Sequence, residues 1–265
     1  MGSCDSLGEL LAHAPAALAA VRSAESQQYA EVECVSPHVD LGCGDGLFGK
    51  VALQSPGIGV DRSLRALRFA RQRRAYDALV CADLCALPVG DGTVATVTAN
   101  SVLEHITDID EALRETSRVL AKDGRAVIAV PTQRAEESFA GHAILCRLGM
   151  PRIADRYVKL YDLLFGQRHM ISRGEWLSLV AKNGLCVLRA RPFCSRGVFR
   201  LHELTLVPSL LPWLCHRLWG RYCLFPRVRK YTLAPMWAKW LRARGLDDAD
   251  GDCSLFLIAT PSIAK

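Results

Sequence analysis

The sequence contains no CxxC pair, and its eleven cysteines follow no repeating spacing. A structural zinc site needs Cys or His ligands paired at short intervals, and a disulfide framework needs an even count. No metal is therefore expected, and the cysteines read as reduced thiols of a cytoplasmic protein. Cys81, Cys146 and Cys186 sit inside apolar runs. The N-terminus lacks the Lys or Arg that opens a secretory leader and carries Asp5 and Glu9 instead. Its apolar stretch from Leu10 to Val21 is broken by His13 and Pro15, so it is read as neither leader nor membrane span. There is no internal repeat and no low-complexity linker. Acids nearly vanish from one region. Between Arg196 and Arg244 stand ten Lys or Arg residues and a single acid, Glu203, so the formal charge of +6 is concentrated in the C-terminal third.

What is present is enough for one sizeable core with an elaboration attached: 265 residues, 50% of them hydrophobic. Residues 1–34 read as one or two leading helices rich in Ala and Leu. Strands are expected at Val35–Leu41, Gly57–Asp61, Ala78–Cys81, Val94–Ala99 and Ala126–Val130. Helices are expected at Leu47–Leu53, Leu64–Tyr76 and Ile109–Leu120, the last capped by Asp108 or Asp110 and ended by an Asp123-Gly124 turn. This alternation predicts an α/β protein with a parallel sheet covered on both faces. Residues 134–170 form a lid-like connection with helical pieces. Ser172–Asn183 opens with a Ser172/Glu175 capping box, and strands at Leu185–Ala190 and Ser254–Ala259 follow. Residues 195–252 lie between these last two strands as a basic, apolar insertion, broken by Pro208, Pro212 and Pro226 into short helices.

One stretch carries the chemistry. Val39 to Gly49 reads VDLGCGDGLFG, with Gly42, Gly44 and Gly46 at alternate positions directly after a strand. Glycine removes Cβ atoms where a ligand lies against the main chain, and the following helix offers free N–H groups. A dinucleotide fingerprint needs glycine at position 47, where this chain has Leu47. Asp40, two residues before the glycines, repels a pyrophosphate and suits a ligand with positive charge. NAD and FAD are disfavoured on both counts.

The stretch DLGCGDG resembles the first motif of the class I S-adenosylmethionine-dependent methyltransferases, type 11 subgroup. Further segments agree in order: Val60-Asp61-Arg62-Ser63, Ala82-Asp83-Leu84 with Leu87-Pro88-Val89-Gly90-Asp91-Gly92, Asn100-Ser101-Val102-Leu103-Glu104-His105, and Arg118-Val119-Leu120-Ala121-Lys122-Asp123-Gly124. The resemblance covers roughly residues 35–132 and the last strands. It implies a Rossmann-like, doubly wound, seven-stranded sheet in three α/β/α layers, mostly parallel with the last strand antiparallel. The methyltransferase core is then 35–194 with 253–265. It also implies S-adenosylmethionine as cofactor. By the same resemblance, Asp40 with the Gly42, Cys43 and Gly44 backbone holds the amino-acid end, and Gly46 belongs to the same cofactor-binding loop. Asp61 accepts the ribose hydroxyls, Asp83 the adenine amino group, the Leu84 N–H meets a ring nitrogen, and Asn100 lies by the methionine part.

Methyl transfer from a sulfonium requires alignment and desolvation of the nucleophile, and a hydroxyl acceptor also requires a base. His105 is the first candidate base, with Glu104 its neighbour; the alternative is a structural pair. His142, His169 and His202 are further candidates. The acceptor is expected to be a small molecule or lipid-like compound, methylated at a hydroxyl oxygen, with carbon and nitrogen acceptors left open by the sequence. Trp213, Trp219, Trp237 and Trp240 fall in the basic insertion, where apolar residues interleaved with arginine suit a membrane surface through 195–245, at the inner face of a membrane. An ordinary helical subdomain accounts for the same pattern. The stretch is too apolar for a phosphate-tracking surface, so nucleic acid is disfavoured. A second reading from another class is a cofactor-binding but catalytically silent partner or scaffold. Nothing in the sequence sets the oligomeric state.

Overall fold

The computed structural model describes residues 3–53, 57–219, 226–243 and 251–262. Two leading helices, α1 (Ser3–His13) and α2 (Ala16–Tyr29), precede an alternation of β1 (His38–Leu41), α3 (Leu47–Ala52), β2 (Ile58–Asp61), α4 (Leu64–Arg73), β3 (Ala78–Cys81), β4 (Val94–Asn100), α5 (Ile109–Val119) and β5 (Leu120–Pro131). Three helices follow, α6 (Gln133–Glu137), α7 (Ala140–Arg147) and α8 (Pro151–Phe165), then α9 (Arg173–Lys182) and β6 (Leu185–Phe193). The insertion supplies α10 (Arg196–Leu204), α11 (Leu206–Trp219) and α12 (Pro226–Ala243) before β7 (Ser254–Pro261) closes the described chain.

The seven strands form one sheet in the order β3-β2-β1-β4-β5-β7-β6. The first five run parallel, and β7 is antiparallel to both β5 and β6. The expected Rossmann-like architecture is therefore observed. Alternation along β5 explains its two buried faces: Val127 and Ala129 join the core under α1, α2 and α10, while Ala126, Ile128 and Val130 join the core under α5 and α9. The chain order reverses between β1 and β4, which opens a crevice at their C-terminal ends, the usual ligand position in such sheets.

Several boundaries differ from expectation for physical reasons. Strand β1 starts at His38, not Val35, because Pro37 has no N–H to give the ladder. The expected Asp123-Gly124 turn is absorbed into β5 as a bulge, where the pairing jumps from Val94↔Leu120 to Thr96↔Arg125. Asp108 caps α5 by accepting the Glu111 N–H at 3.1 Å, and the Ser172/Glu175 capping box is formed. Pro212 lies inside α11 and Pro208 in its first turn, so neither divides the insertion, whereas Pro226 begins α12. Cys81, Cys146 and Cys186, which sit inside apolar runs of the sequence, are free thiols and exposed.

The insertion folds back onto the leading helices. Lys230 of α12 pairs with Glu9 of α1, the Ser209 hydroxyl accepts the Ala17 N–H at 3.1 Å, and His202 Nδ1 lies 2.7 Å from the Ala17 carbonyl oxygen. Tyr222, Leu224, Phe225 and the side chains of Trp213, Trp219 and Trp240 lie outside what is described. Among the described residues no helix is long and apolar enough to cross a membrane.

Candidate active site

The loop after β1 is built against β2. Cys43 N–H donates to the Val60 carbonyl at 3.0 Å, and Gly44 N–H donates to Asp61 Oδ2 at 2.9 Å. Asp61 Oδ1 accepts the Ser63 N–H at 2.8 Å, so the carboxylate at the end of β2 is oriented by two backbone donors. Gly42 and Gly44 both adopt positive φ, +64° and +56°, but they serve different neighbours. A Cβ on Gly42 comes within 2.2 Å of Val102 Cγ2, whereas one on Gly44 meets nothing nearer than the Gly42 carbonyl oxygen at 4.0 Å. Gly46 caps α3, and its missing Cβ leaves room for Ala70 and Ala75 rather than for a ligand.

Two clefts flank this loop and share Gly42. The larger, about 440 Å³, is lined by Asp40, Gly42, Cys43, Gly44 and Asn100 together with Arg22 of α2, which donates to the Asn100 carbonyl at 3.4 Å. The smaller, about 380 Å³, brings together Asp61, Asp83, Leu84, Val102 and His105. Asp83 Oδ1 accepts the Cys85 N–H at 2.9 Å, which fixes the turn that carries Leu84. The predicted cofactor residues thus divide into two groups on either side of the glycine loop.

Asp40 is buried, 4% exposed, and both its oxygens are engaged: Thr98 Oγ1 donates at 2.6 Å and Tyr76 O–H at 2.5 Å. Burial raises its pKa, and these two hydrogen bonds oppose the rise. His38 Nε2 lies 3.0 Å from Thr98 Oγ1, extending the chain of polar groups across β1 and β4. Tyr76 and Thr98 carry no local sequence signal for this role.

A second network, of which the sequence singles out only Asn100 as a site residue, joins α2 to the end of β4. Glu25 of α2, 2% exposed, accepts Asn100 Nδ2 at 2.8 Å and the Ser101 hydroxyl at 2.5 Å, and pairs with Arg22 at 3.0 Å. Arg22 also lies over the Phe48 ring, 5.6 Å from its centroid. The leading helices therefore wall the larger cleft. Asn100 Oδ1 is buried on that wall without a hydrogen-bond partner.

Glu104 and His105 occupy a single 3-10 turn beyond β4. Glu104 is buried, and burial pushes its carboxyl up to about 8. His105 Nδ1 lies 3.0 Å from the Gly166 carbonyl oxygen, so that nitrogen carries the proton and Nε2 is the basic one, 3.8 Å from Glu104 Oε1. Burial also lowers the His105 pKa, which leaves the ring neutral at pH 7. Of the other histidines, His202 is buried against Tyr161, and His169 Nε2 faces the Ile106 carbonyl oxygen. Neither these two nor His142 lines the two clefts. Among the described residues no group of three or more His, Cys, Asp or Glu side chains is placed to hold a metal ion.

Residues 39–128 match the family model described as a methyltransferase domain. This stretch is a class I, type 11 methyltransferase domain. A tRNA (carboxymethyluridine(34)-5-O)-methyltransferase of Mus musculus is 35% identical over 94 residues, 34% of this chain and 14% of that protein. A 2-phytyl-1,4-naphtoquinone methyltransferase of Thermosynechococcus vestitus is 34% identical over 98 residues, 34% of this chain and 44% of that protein. The chain thus covers less than half the length of either relative. Among solved structures, an S-adenosylmethionine-dependent methyltransferase from Mesorhizobium loti aligns with TM-score 0.55 and 19% identity, over 89% of this chain and 97% of that one. A geranyl diphosphate C-methyltransferase from Streptomyces coelicolor A3(2) aligns with TM-score 0.52 and 18% identity, over 91% and 80%. At these identities the structures share the fold of the methyltransferase domain and its surrounding helices.

Proposed function

We propose that the chain is an S-adenosylmethionine-dependent methyltransferase that acts on a small or lipid-linked acceptor, at a hydroxyl oxygen. The observation that carries this reading is the pair of clefts meeting at Gly42, with acids on the strand ends of one and, in the other, Arg22 beside the Asn100 carbonyl at 3.4 Å and an Asn100 Oδ1 without a hydrogen-bond partner. The residues fit the cofactor. Gly44 leaves open the space that a Cβ fills, next to the loop's own main chain. Asn100 Oδ1 and the Asp40 carboxylate suit an ammonium, and Arg22 suits the carboxylate of the same amino-acid end. Asp61 and Asp83 suit ribose hydroxyls and an adenine amino group, with the Leu84 N–H beside them.

S-adenosylmethionine, when bound, supplies a methyl group already activated on a sulfonium. The chain's own residues then have to exclude water, orient the acceptor and take its proton. Neutral His105, with Nε2 free of backbone partners and open to the smaller cleft, is the group suited to that proton. Glu104 holds the turn: its carbonyl oxygen accepts the N–H groups of Arg168 and His169 at 2.8 Å and 3.2 Å. The oxygen assignment is supported by the mouse relative, whose name specifies a 5-O-methyltransferase.

The test uses donor labelled in its methyl group. The full chain is expected to retain labelled donor on equilibrium dialysis and to transfer label into a lipid or polar-metabolite extract. The His105→Ala variant is expected to keep donor binding and lose transfer. Retention of donor with no transfer to any extract supports the silent-partner reading instead. Wild-type turnover by His105→Ala removes the base assignment.

A further inference from the structure

Helix α8 is apolar on two sides, and the fold uses one. Its inner side is spent on the core: Ala154 is fully buried, Tyr161 packs edge-on to Phe139 at 4.8 Å, and Tyr157 O–H donates to Glu203 Oε1 at 2.6 Å. Its outer side presents Ile153, Leu160, Leu163 and Leu164 to solvent, with Leu163 80% and Leu164 71% exposed. Helix α7 and its C-cap add exposed Ile144 and Leu148 to the same hairpin. Six exposed large aliphatic side chains gathered on one hairpin mark an interaction surface, since scattered single ones are the ordinary case; the insertion helices expose a comparable set, among them Val207, Leu210 and Val228.

The charge around this face has one sign. Arg147, Arg152, Arg156 and Lys159 are exposed, against the single exposed acid of the hairpin, Asp155. On α8 the three basic residues recur at helical spacing beside the aliphatic ones, which is the pattern of a helix lying in a membrane interface. A second copy of the chain is a poor occupant, because a two-fold contact sets these cations against themselves. Nucleic acid is a poor occupant as well, because the side chains of the outer face are aliphatic and the exposed ring of α8, Phe165, is already packed on Tyr161 at 4.5 Å. Anionic lipid satisfies both features at once: its headgroups pair with the cations and its acyl boundary takes the leucines.

The hairpin is tied directly to the candidate active site. Gly166, which ends α8, presents its carbonyl oxygen to His105 Nδ1 at 3.0 Å. The two residues after Gln167 donate their N–H groups to Glu104. We propose that the outer face of the α7–α8 hairpin docks on an anionic lipid surface and opens the cleft beside His105 toward it. The docking stands by itself, while the delivery of a lipid-borne acceptor rests on the methyltransferase reading above.

The experiment is co-sedimentation of the full chain with vesicles of phosphatidylcholine alone or with an equal part of phosphatidylglycerol, at low and high salt. Wild type is expected to partition about tenfold more onto the anionic vesicles, with the gain lost at high salt. The double variants Leu163→Glu/Leu164→Glu and Arg152→Glu/Arg156→Glu are each expected to lose about tenfold of that partition. Far-ultraviolet circular dichroism is expected to be unchanged, because all four side chains are exposed. No pelleting with anionic vesicles at low salt overturns the proposal, as does pelleting that both variants retain. Self-association that Leu163→Glu/Leu164→Glu abolishes, without vesicle binding, assigns the face to a second copy and overturns it too. Dialysis with labelled donor separates the two readings: vesicle binding that follows this pattern in a protein that retains no donor leaves the docking intact and removes the methyltransferase reading.

Discussion

Replacing the three loop glycines by alanine one at a time separates space kept for the protein from space kept for a ligand. Gly42→Ala forces a left-handed alanine and drives its Cβ to 2.2 Å from Val102 Cγ2. The backbone cost is about 1–2 kcal/mol and the overpacking about 1–3 kcal/mol, roughly 2–5 kcal/mol together. For a chain of this size that corresponds to a fall in Tm on the order of 5–15 °C. Gly44→Ala carries the same backbone cost with no steric term, because nothing lies closer than 4.0 Å to the new methyl. Its Tm is expected to fall by about 2–6 °C, yet its donor affinity is expected to fall about tenfold or more, since the methyl occupies the cofactor's space. Gly46→Ala is expected to resemble Gly42→Ala in stability, because its Cβ meets Ala75 Cβ at 2.9 Å and the Ala70 main chain at 3.0 Å. Thermal denaturation and equilibrium dialysis with labelled donor measure both quantities on the same samples. A second substitution, Val102→Ala, is expected to restore part of the Gly42→Ala loss and none of the Gly44→Ala affinity. Wild-type donor affinity in Gly44→Ala, at wild-type stability or not, refutes the assignment of that space to a ligand.

Three further outcomes follow from the titrating groups around the clefts. The lowered pKa of His105 places the acid limb of kcat/KM below pH 6.5, with activity lost as pH falls through it, and a pH profile that keeps its midpoint in His105→Ala contradicts the base role. Glu104 keeps its proton in the folded state up to about 8, whereas the unfolded chain loses it near 4.5. The folded state therefore binds more protons between those values, and stability declines as pH rises through that window, by on the order of 4 kcal/mol at its upper end. Denaturant titrations of wild type and Glu104→Gln at the two ends of the window check this; the difference between them is expected to grow toward the alkaline end. Tyr76→Phe removes a donor from a buried carboxylate and is expected to cost about 1–3 kcal/mol of stability, read from the same titrations at neutral pH.

The parts of the site that were legible in the sequence are those carried by single strand ends. Asp40, Gly42, Gly44, Asp61, Asp83 and Leu84 each sit within a few residues of a strand's C-terminal end, and a parallel sheet brings such ends to one edge whatever the helices do. A short local pattern is then sufficient to place a residue in a cleft. The same reasoning could not separate Gly46 from its neighbours. Its spacing matches the other glycines, but the α4 residues that it accommodates, Ala70 and Ala75, are small side chains with no pattern of their own. Asp40 shows the opposite gap. The residue was legible, but its donors were not, because Tyr76 is 36 positions away and Thr98 is 58 positions away.

The leading helices show why contact across the chain matters more than motif for half of this site. In the Ala-rich helix α2, Arg22 and Glu25 are the one oppositely charged pair, three residues apart on one face, and that was the signal available. Read locally, such a pair is a solvated surface contact worth a few tenths of a kcal/mol. Buried over the end of β4, Glu25 instead binds both Asn100 and Ser101, so its carboxylate sets the conformation of the strand exit from which Glu104 and His105 follow. Ser101 itself has a positive φ of +48°, a conformation that costs a non-glycine residue free energy and that its hydroxyl bond to Glu25 helps to hold. The turn carrying His105 is thus fixed from two directions, by α2 through Glu25 at one end and by the α8 terminus through Gly166 at the other. One of the leading helices and a hairpin that the sequence presents as a lid together determine where the candidate base points. The strand-end residues of the candidate site are local and recognisable, while Arg22 and the turn that carries His105 are brought to it by segments far apart in the chain.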